Sequence, residues 1–117
     1  MRQLKELERE EKQLNTTEET LISEEKQVRR IKETYEQHFY EARHFFDNLC
    51  YQFHKNEQGM FYQSLMDEYS QKSRQVIMQL ETDELEIHSR KKKVLNQLED
   101  IGYEKRKLLA EEETNEC

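Results

Sequence analysis

Apolar residues recur at every seventh position through the first half of the chain. They are Leu7, Leu14, Leu21, Val28, Tyr35, Ala42 and Leu49. Residues seven apart lie on one face of an α-helix, because seven residues complete almost two turns. We therefore predict a continuous helix over residues 2–53, in which this series, called the first seam, faces another helix.

The pattern breaks at residues 54–59 and then resumes. The break contains Asn56 and Gly59, and glycine readily adopts the positive φ that ends many helices. The second seam has one polar member and consists of Met66, Ser73, Leu80, Ile87, Val94, Ile101 and Leu108. These observations predict a turn at residues 54–59, a second helix over residues 60–109 and an acidic tail over residues 110–117.

A short connection between long helices favours an antiparallel arrangement. The predicted fold is therefore all-α: a long antiparallel two-helix hairpin that resembles a coiled coil. In the favoured register, the numbers of facing seam residues sum to 115, which places the two small seam residues, Ala42 and Ser73, in one layer. The positions beside each seam are apolar near the turn and polar far from it, at matching distances in both helices.

Charged residues beside the seams extend this register away from the turn. It predicts two facing ion pairs, Lys32 with Asp83 and Glu25 with Arg90. It also places Glu11 opposite Glu104, a like-charge pair that the pattern does not explain. Exposed ion pairs contribute ~0.2–1 kcal/mol each, so we expect them to fix the register more than they stabilise the fold.

The two ends of the predicted hairpin differ in apolar content. The open end has about one seam residue per heptad in each helix, supplemented by Ile22, Leu85, Leu95, Leu98 and Leu109. Ordering a residue costs ~1.5 kcal/mol and burying an aliphatic side chain returns ~1.5–3 kcal/mol, so we expect a thinly packed open end. The turn end has the opposite imbalance, since ten of the eleven aromatic residues lie between Tyr35 and Tyr69.

These aromatic residues form the candidate partner-binding surface. Those beside the seams, which also suit a core between the helices, are Phe39, Phe46, Phe53, Tyr62 and Tyr69. Those farther from the seams, where one facing helix cannot cover them, are Tyr40, Phe45, Tyr51 and Phe61. Large exposed apolar patches usually mark interaction sites, so the pattern predicts contact with a helical partner. For the isolated chain, the corresponding expectation is a homodimer or a low-melting monomer.

Composition excludes several classes of function. Charged residues make up 38% of the chain; disorder is the alternative for so polar a sequence, but the two periodic seams and the absence of proline favour long helices. The net charge of −7 disfavours a nucleic-acid partner, because the basic run Arg90–Lys93 is flanked by acidic residues. No apolar stretch reaches the ~20 residues that span a bilayer, and the N-terminal residues lack a secretory signal. We therefore expect a protein without membrane insertion that stays in the cytoplasm or leaves it by a route that reads no cleavable signal.

The chemistry-bearing residues do not combine into a recognisable site. Cys50 and Cys117 are too few for a disulfide framework, and Cys50, four residues before His54, is expected to be a buried thiol. Glu41 and His44 match half of a carboxylate di-iron pattern, but the second helix lacks the other half. Neither glycine belongs to a phosphate-binding loop. We therefore expect no enzyme activity, no cofactor and no metal site.

The stretch Arg43–Tyr69 (RHFFDNLCYQFHKNEQGMFYQSLMDEY) combines the aromatic band with a near-central turn between two proline-free helices. In these features the chain resembles small helical partners of Gram-positive type VII secretion, in particular the second class of LXG-toxin-associated α-helical (Lap) proteins. The resemblance implies a cytoplasmic accessory protein that binds the helical N-terminal LXG domain of a toxin, often together with a second small helical protein. It also implies that the complex is presented for export, and it leaves open whether this subunit is exported too.

Two features depart from the related WXG100 hairpins. The sequence has no tryptophan, and residues 58–61 read QGMF where those proteins carry Trp-x-Gly. No Tyr or Phe is followed four residues later by Asp, and the nearest approach is Phe53 with Glu57. These departures argue against a subunit that carries the export signal and leave the role of a helical scaffold. The alternatives are a structural coiled coil that self-associates into a four-helix homodimer and, less favoured, a prefoldin-like holdase.

Overall fold

A computed structural model of the chain describes residues 3–55 and 57–116, without the side chains of Asn115 and Glu116. Helix α1 spans Leu4–Gln52 and helix α2 spans Glu57–Glu116. The predicted all-α antiparallel two-helix hairpin is therefore confirmed. Glutamate, lysine, glutamine and leucine dominate both helices and no proline interrupts them, which explains their length. Within the described ranges, neither helix contains an apolar stretch long enough to cross a membrane.

Helix α2 is longer than predicted at both ends. It begins at Glu57, inside the predicted turn, and continues to Glu116 through the segment for which the sequence predicts an acidic tail. That segment starts with alanine and three glutamates and contains no helix breaker, so the helix propagates from the preceding turns. The predicted helix start at residue 2, Asn56 of the predicted turn and Cys117 of the predicted tail lie outside the described residues.

Gly59 lies in the first turn of α2 and is buried, but it does not have the positive φ that the sequence suggests. A Cβ atom at this position would overlap the carbonyl oxygen of Phe53 and would lie 2.8 Å from its carbonyl carbon. Glycine is therefore needed because the start of α2 packs directly on the backbone at the end of α1. A side chain also stabilises the C-terminal end of α1: the Nδ1–H of His54 donates a hydrogen bond of 2.7 Å to the carbonyl oxygen of Tyr51.

The contacts divide the chain into two compact units. The open-end unit contains Met1–Lys26 and Glu86–Cys117, and the turn unit contains Gln27–Leu85. In the open-end unit the seams form an aliphatic core, whose buried side chains are Leu7, Leu21, Ile87, Val94 and Ile101. These amount to at most one buried residue per heptad in each helix, which agrees with the thin core that the sequence predicts, although the described turn unit has no fully buried apolar side chain at all.

Charged side chains add cover to the open-end core. Glu25 and Lys91 lie beside it with side chains only 22% and 23% exposed, so their aliphatic stems cover the seam while their charges pair. Of the leucines and isoleucines predicted to supplement this core, Ile22 and Leu98 are half-buried, whereas Leu95 and Leu109 are 49% and 45% exposed. Leu85, which falls in the turn unit, is 70% exposed and contributes nothing to a core.

The ion pairs between the helices use partners other than the predicted ones. Glu25 pairs with Lys91 at 3.3 Å, because Arg90 points outward to Glu86 of its own helix. In the turn unit, Lys32 lies 3.7 Å from carboxylate oxygens of both Glu81 and Glu84 instead of pairing with Asp83.

A one-residue offset also removes the like-charge pair that the sequence predicts. Glu11 pairs with Lys105 at 3.4 Å, so it does not face Glu104 alone. A step of one residue turns a side chain by roughly 100° around a helix. The predicted seam residues Ile87, Val94 and Ile101 are nevertheless the buried ones, so α2 keeps its predicted face toward α1 and only the flanking charged partners differ.

The seam of the turn unit is more open than that of the open-end unit. Among the described residues of this unit, Gly59 and Ser73 are buried and Tyr35 is 45% exposed. The half-buried seam members are Val28, Ala42, Leu49, Met66 and Leu80. Aromatic side chains beside the seam pair across the helices instead, Phe53 with Tyr62 and Phe46 with Tyr69. The numbers of both pairs sum to 115, in agreement with the predicted register.

Candidate protein-binding surface

The turn unit exposes many large apolar side chains. They are Ile31, Tyr35, Tyr40, Phe45, Tyr51, Met60, Phe61, Met78 and Leu85. The corresponding residues in the described part of the open-end unit are Leu95, Tyr103 and Leu109. Exposed apolar surface of this extent is unfavourable in water and is often removed by a binding partner. The candidate binding surface therefore belongs to the turn unit.

The five predicted residues beside the seams form two clusters between the helices. In the first cluster, the rings of Phe53 and Tyr62 have centroids 5.5 Å apart. In the second, the ring of Tyr69 lies 6.2 Å from that of Phe39 and 6.1 Å from that of Phe46. All five residues are half-buried, so their rings serve first as the core of the turn unit.

Phe45 and Phe61 are the outer members of these clusters. Phe45 packs edge-on against Phe46 with ring centroids 5.8 Å apart, and Phe61 packs in the same way against Tyr62, also at 5.8 Å. The two outer phenylalanines are nevertheless 61% and 60% exposed. Each ring therefore has one side held by an ordered aromatic neighbour and the other side open to solvent.

Tyr40 and Tyr51 lie on a different face of α1. Tyr40 packs edge-on against His44 with ring centroids 4.6 Å apart, and Tyr51 stacks on His54 at 6.0 Å. Spacings of four and seven residues place Tyr40, His44 and Tyr51 in one stripe along the helix, and His54 follows three residues later, just beyond its end. Phe45 is five and six residues from the two tyrosines, which corresponds to roughly 120–140° around α1. The structure therefore splits the four exposed candidates between two surfaces.

A cleft between the helices was not recognised from the sequence. It has a volume of about 520 Å³ and lies in the turn unit, with Phe39 and Met66 among its apolar lining residues. Arg43 and Arg74 line it as well, one from each helix. In the sequence, only their positions beside the seams could have indicated the cleft. Arginine at such positions is common on any solvated helix surface, so this signal is weak.

The cysteines and the possible metal ligands form no site in the described residues. Cys50 is half-buried instead of buried, and its thiol points to the side-chain oxygen of Gln63 at 3.7 Å. Cys117 lies outside the described residues. Over the described part of the chain, no three histidine, cysteine, aspartate or glutamate side chains are grouped as a metal site would require.

A protein-family model described as "Protein of unknown function (DUF3958)" matches residues 2–108 of the chain. No curated protein and no solved structure matches the chain. The match covers both seams and the aromatic turn unit. The pattern of two seams and an aromatic turn therefore falls almost entirely within the span that the family shares.

Proposed function

The chain belongs to the DUF3958 family, and we propose that it is a non-enzymatic helical accessory subunit of type VII secretion. In this proposal it binds the helical N-terminal LXG domain of a toxin in the cytoplasm and supports the export of that toxin. The resemblance of Arg43–Tyr69 to Lap proteins supports the choice of partner. The exposed aromatic residues of the turn unit support the choice of site.

The state of Phe45 and Phe61 is the observation that carries this proposal. Binding costs less free energy when the contacting side chains are already ordered in the unbound protein. Both rings pack on clustered aromatic neighbours and still expose more than half of their surface. Rigid aromatic side chains with this exposure have the properties of the anchors that contribute most of the free energy at interfaces. A helix of the LXG domain would cover them.

The second aromatic surface suits a second partner. The stripe with Tyr40 and Tyr51 is turned roughly 120–140° from Phe45 around α1, so one helix cannot cover both surfaces. In the proposed complex this stripe contacts the second small helical protein that the Lap resemblance implies. Helix-in-groove binding uses anchors at spacings of three, four and seven residues, and this stripe has the last two of these spacings.

Replacing both outer phenylalanines with serine tests the proposal. The full chain carrying Phe45→Ser and Phe61→Ser is co-expressed with the LXG domain of a type VII secretion toxin, and their complex is isolated. Truncating an aromatic anchor commonly costs ~2 kcal/mol or more, so we expect the complex to weaken by roughly several hundredfold. The helical circular-dichroism signal should change little, because neither ring lies in the seam.

The matched control replaces two residues of the same unit that are equally exposed. Met78 and Leu85 are 65% and 70% exposed and belong to neither aromatic cluster. The variant with Met78→Ser and Leu85→Ser should still co-purify with the LXG domain. Equal loss of the toxin from both variants, or binding retained by the phenylalanine variant, would show that the site is wrongly assigned.

A self-associating coiled coil is the second candidate function. Met78 and Leu85 lie seven residues apart on α2 and form an exposed apolar stripe that a second copy of the chain would cover in a four-helix bundle. Sedimentation equilibrium of the isolated protein distinguishes the two functions. A dimer that the Met78 and Leu85 variant dissociates favours self-association, whereas a monomeric wild type excludes it.

A further inference from the structure

The cleft in the turn unit faces a different direction from the outer phenylalanines. Arg43 lines the cleft and is two residues from Phe45, a step that turns the side chain by roughly 200° around α1. The cleft volume of about 520 Å³ is large enough for several side chains. It is therefore a separate surface, whose occupant must be inferred from its own chemistry.

Two guanidinium groups of the cleft have no anionic partner within the described part of the chain. Lys32 and Lys72, in the same unit, lie within 3.7 Å and 3.5 Å of glutamate oxygens, but no carboxylate lies within ion-pair distance of Arg43 or Arg74. The one acidic residue of the lining, Asp67, accepts a hydrogen bond of 3.1 Å from the Gln63 amide. The cleft thus keeps two free cations in a unit that is rich in acidic residues.

The two arginines lie nearly level with each other on the two helices. Their numbers sum to 117, close to the 115 of facing residues in the hairpin register. Between them, Phe39 and Met66 provide an apolar lining, and Ser70 adds a half-buried hydroxyl. An occupant that fits must place apolar side chains in the middle and carboxylates on both flanks. Arginine binds carboxylates through paired hydrogen bonds, so each flank gains geometry as well as charge.

We propose that this cleft is the docking site for an acidic amphipathic helix of a partner protein, with glutamate or aspartate on both sides of an apolar stripe. The inference rests on the proposed role as a subunit that binds helices, and it adds the chemical class of one of them. The apolar stripe packs on Phe39 and Met66. The flanking carboxylates pair with Arg43 and Arg74.

A pair of synthetic helices tests the charge requirement. Both are fluorescein-labelled amphipathic peptides with leucine along one face; one carries glutamate on both flanks and its twin carries lysine. Their binding to the full chain is followed by fluorescence anisotropy. We expect the glutamate peptide to bind, the lysine peptide not to bind, and the affinity to fall as salt is raised from about 0.05 M to about 0.5 M.

Two charge-matched variants locate the binding site. Arg43→Gln with Arg74→Gln should weaken binding of the glutamate peptide at least about tenfold, because two charge-assisted contacts are lost. Arg30→Gln with Lys55→Gln removes the same charge from exposed residues outside the cleft of the same unit and should change binding less than about threefold. Glutamine is a good helix former, so both variants should keep their helical signal.

Four outcomes would overturn the inference. They are binding of both peptides alike, binding of neither, equal weakening by the two variants, and a wild-type dimer that the Arg43 and Arg74 variant converts to a monomer. The last outcome would make a second copy of the chain the occupant. The toxin experiment remains separate, because it changes Phe45 and Phe61 and uses no peptide. Failure of the peptide test with toxin binding retained would overturn the cleft assignment alone.

Discussion

The two glycines of the chain have opposite effects on the helix that contains them. Gly59 lies against the backbone of Phe53 and His54, where a Cβ atom has no room. Gly102 lies in the middle of α2 with nothing within 4 Å of the position of a Cβ atom. A glycine in an open helical position destabilises the helix because its backbone loses more entropy on folding than that of alanine.

This difference predicts opposite shifts in thermal stability. Gly59→Ala should lower the Tm, because the start of α2 must move away from α1, at a cost of roughly 1–3 kcal/mol. Gly102→Ala should raise the free energy of unfolding by about 0.5–1 kcal/mol and serves as the matched control. Thermal unfolding followed by circular dichroism measures both. A higher Tm for the Gly59 variant would contradict the close approach of the two helices at the turn.

Between the elements, the register of α1 against α2 rests on aromatic pairs in the turn unit and on ion pairs in the open-end unit. The aromatic pairs have numbers that sum to 115, and the pairs of Glu25 with Lys91 and Glu11 with Lys105 sum to 116. The sum for the charged pairs is larger by one because these side chains lie at the edge of the seam and reach across it to the other helix. Both kinds of contact describe the same alignment within their own unit.

Engineered cysteines test the register in the open-end unit. In a chain with Cys50→Ser and Cys117→Ser, the pair Leu14→Cys and Ile101→Cys should form an intrachain disulfide, because their numbers sum to 115. The control variant carries Leu14→Cys with Val94→Cys. Its second thiol lies one heptad, roughly 10 Å, from position 101, so this pair should not form a disulfide. Non-reducing electrophoresis of the monomer fraction distinguishes the two. Equal crosslinking of both pairs would contradict the register.

Across the whole molecule, burial is divided unequally between the two units. The buried apolar side chains of the described chain, Leu7, Leu21, Ile87, Val94 and Ile101, all belong to the open-end unit. The turn unit has larger rings but leaves them half-buried or exposed. Regions that bury little apolar surface open with a lower free energy cost. The unit that carries the candidate binding surface is therefore the less stable one.

Hydrogen exchange should reveal this difference directly. In the isolated protein, backbone amides of residues 28–52 and 60–85 should exchange faster than those of residues 7–25 and 87–108, because opening the turn unit exposes less aliphatic surface. Mass spectrometry of peptic fragments measures the two sets in one sample. Binding of the helical partner should slow exchange in the turn unit. Faster exchange in the open-end unit would contradict the inference from burial.

The sequence by itself determined the two helices, the place of the turn and the register. These features follow from a spacing of seven residues and from helix propensity, which are local properties of the chain. The aromatic pairs of Phe46 with Tyr69 and Phe53 with Tyr62 could therefore be predicted before any contact was known. The exposure of Phe45 and Phe61 could also be predicted, because a residue far from the seam cannot be covered by one facing helix.

Only the tertiary structure decided how the surfaces are arranged. The geometry at the edge of the seam determines that Lys91 and not Arg90 meets Glu25, and the spacing of apolar residues does not report which flanking charge reaches across. The cover of the open-end core comes partly from the stems of charged side chains, which a pattern of apolar positions counts as polar. The cleft with Arg43 and Arg74 exists because residues from two helices meet across a gap, and no spacing along one chain records that distance.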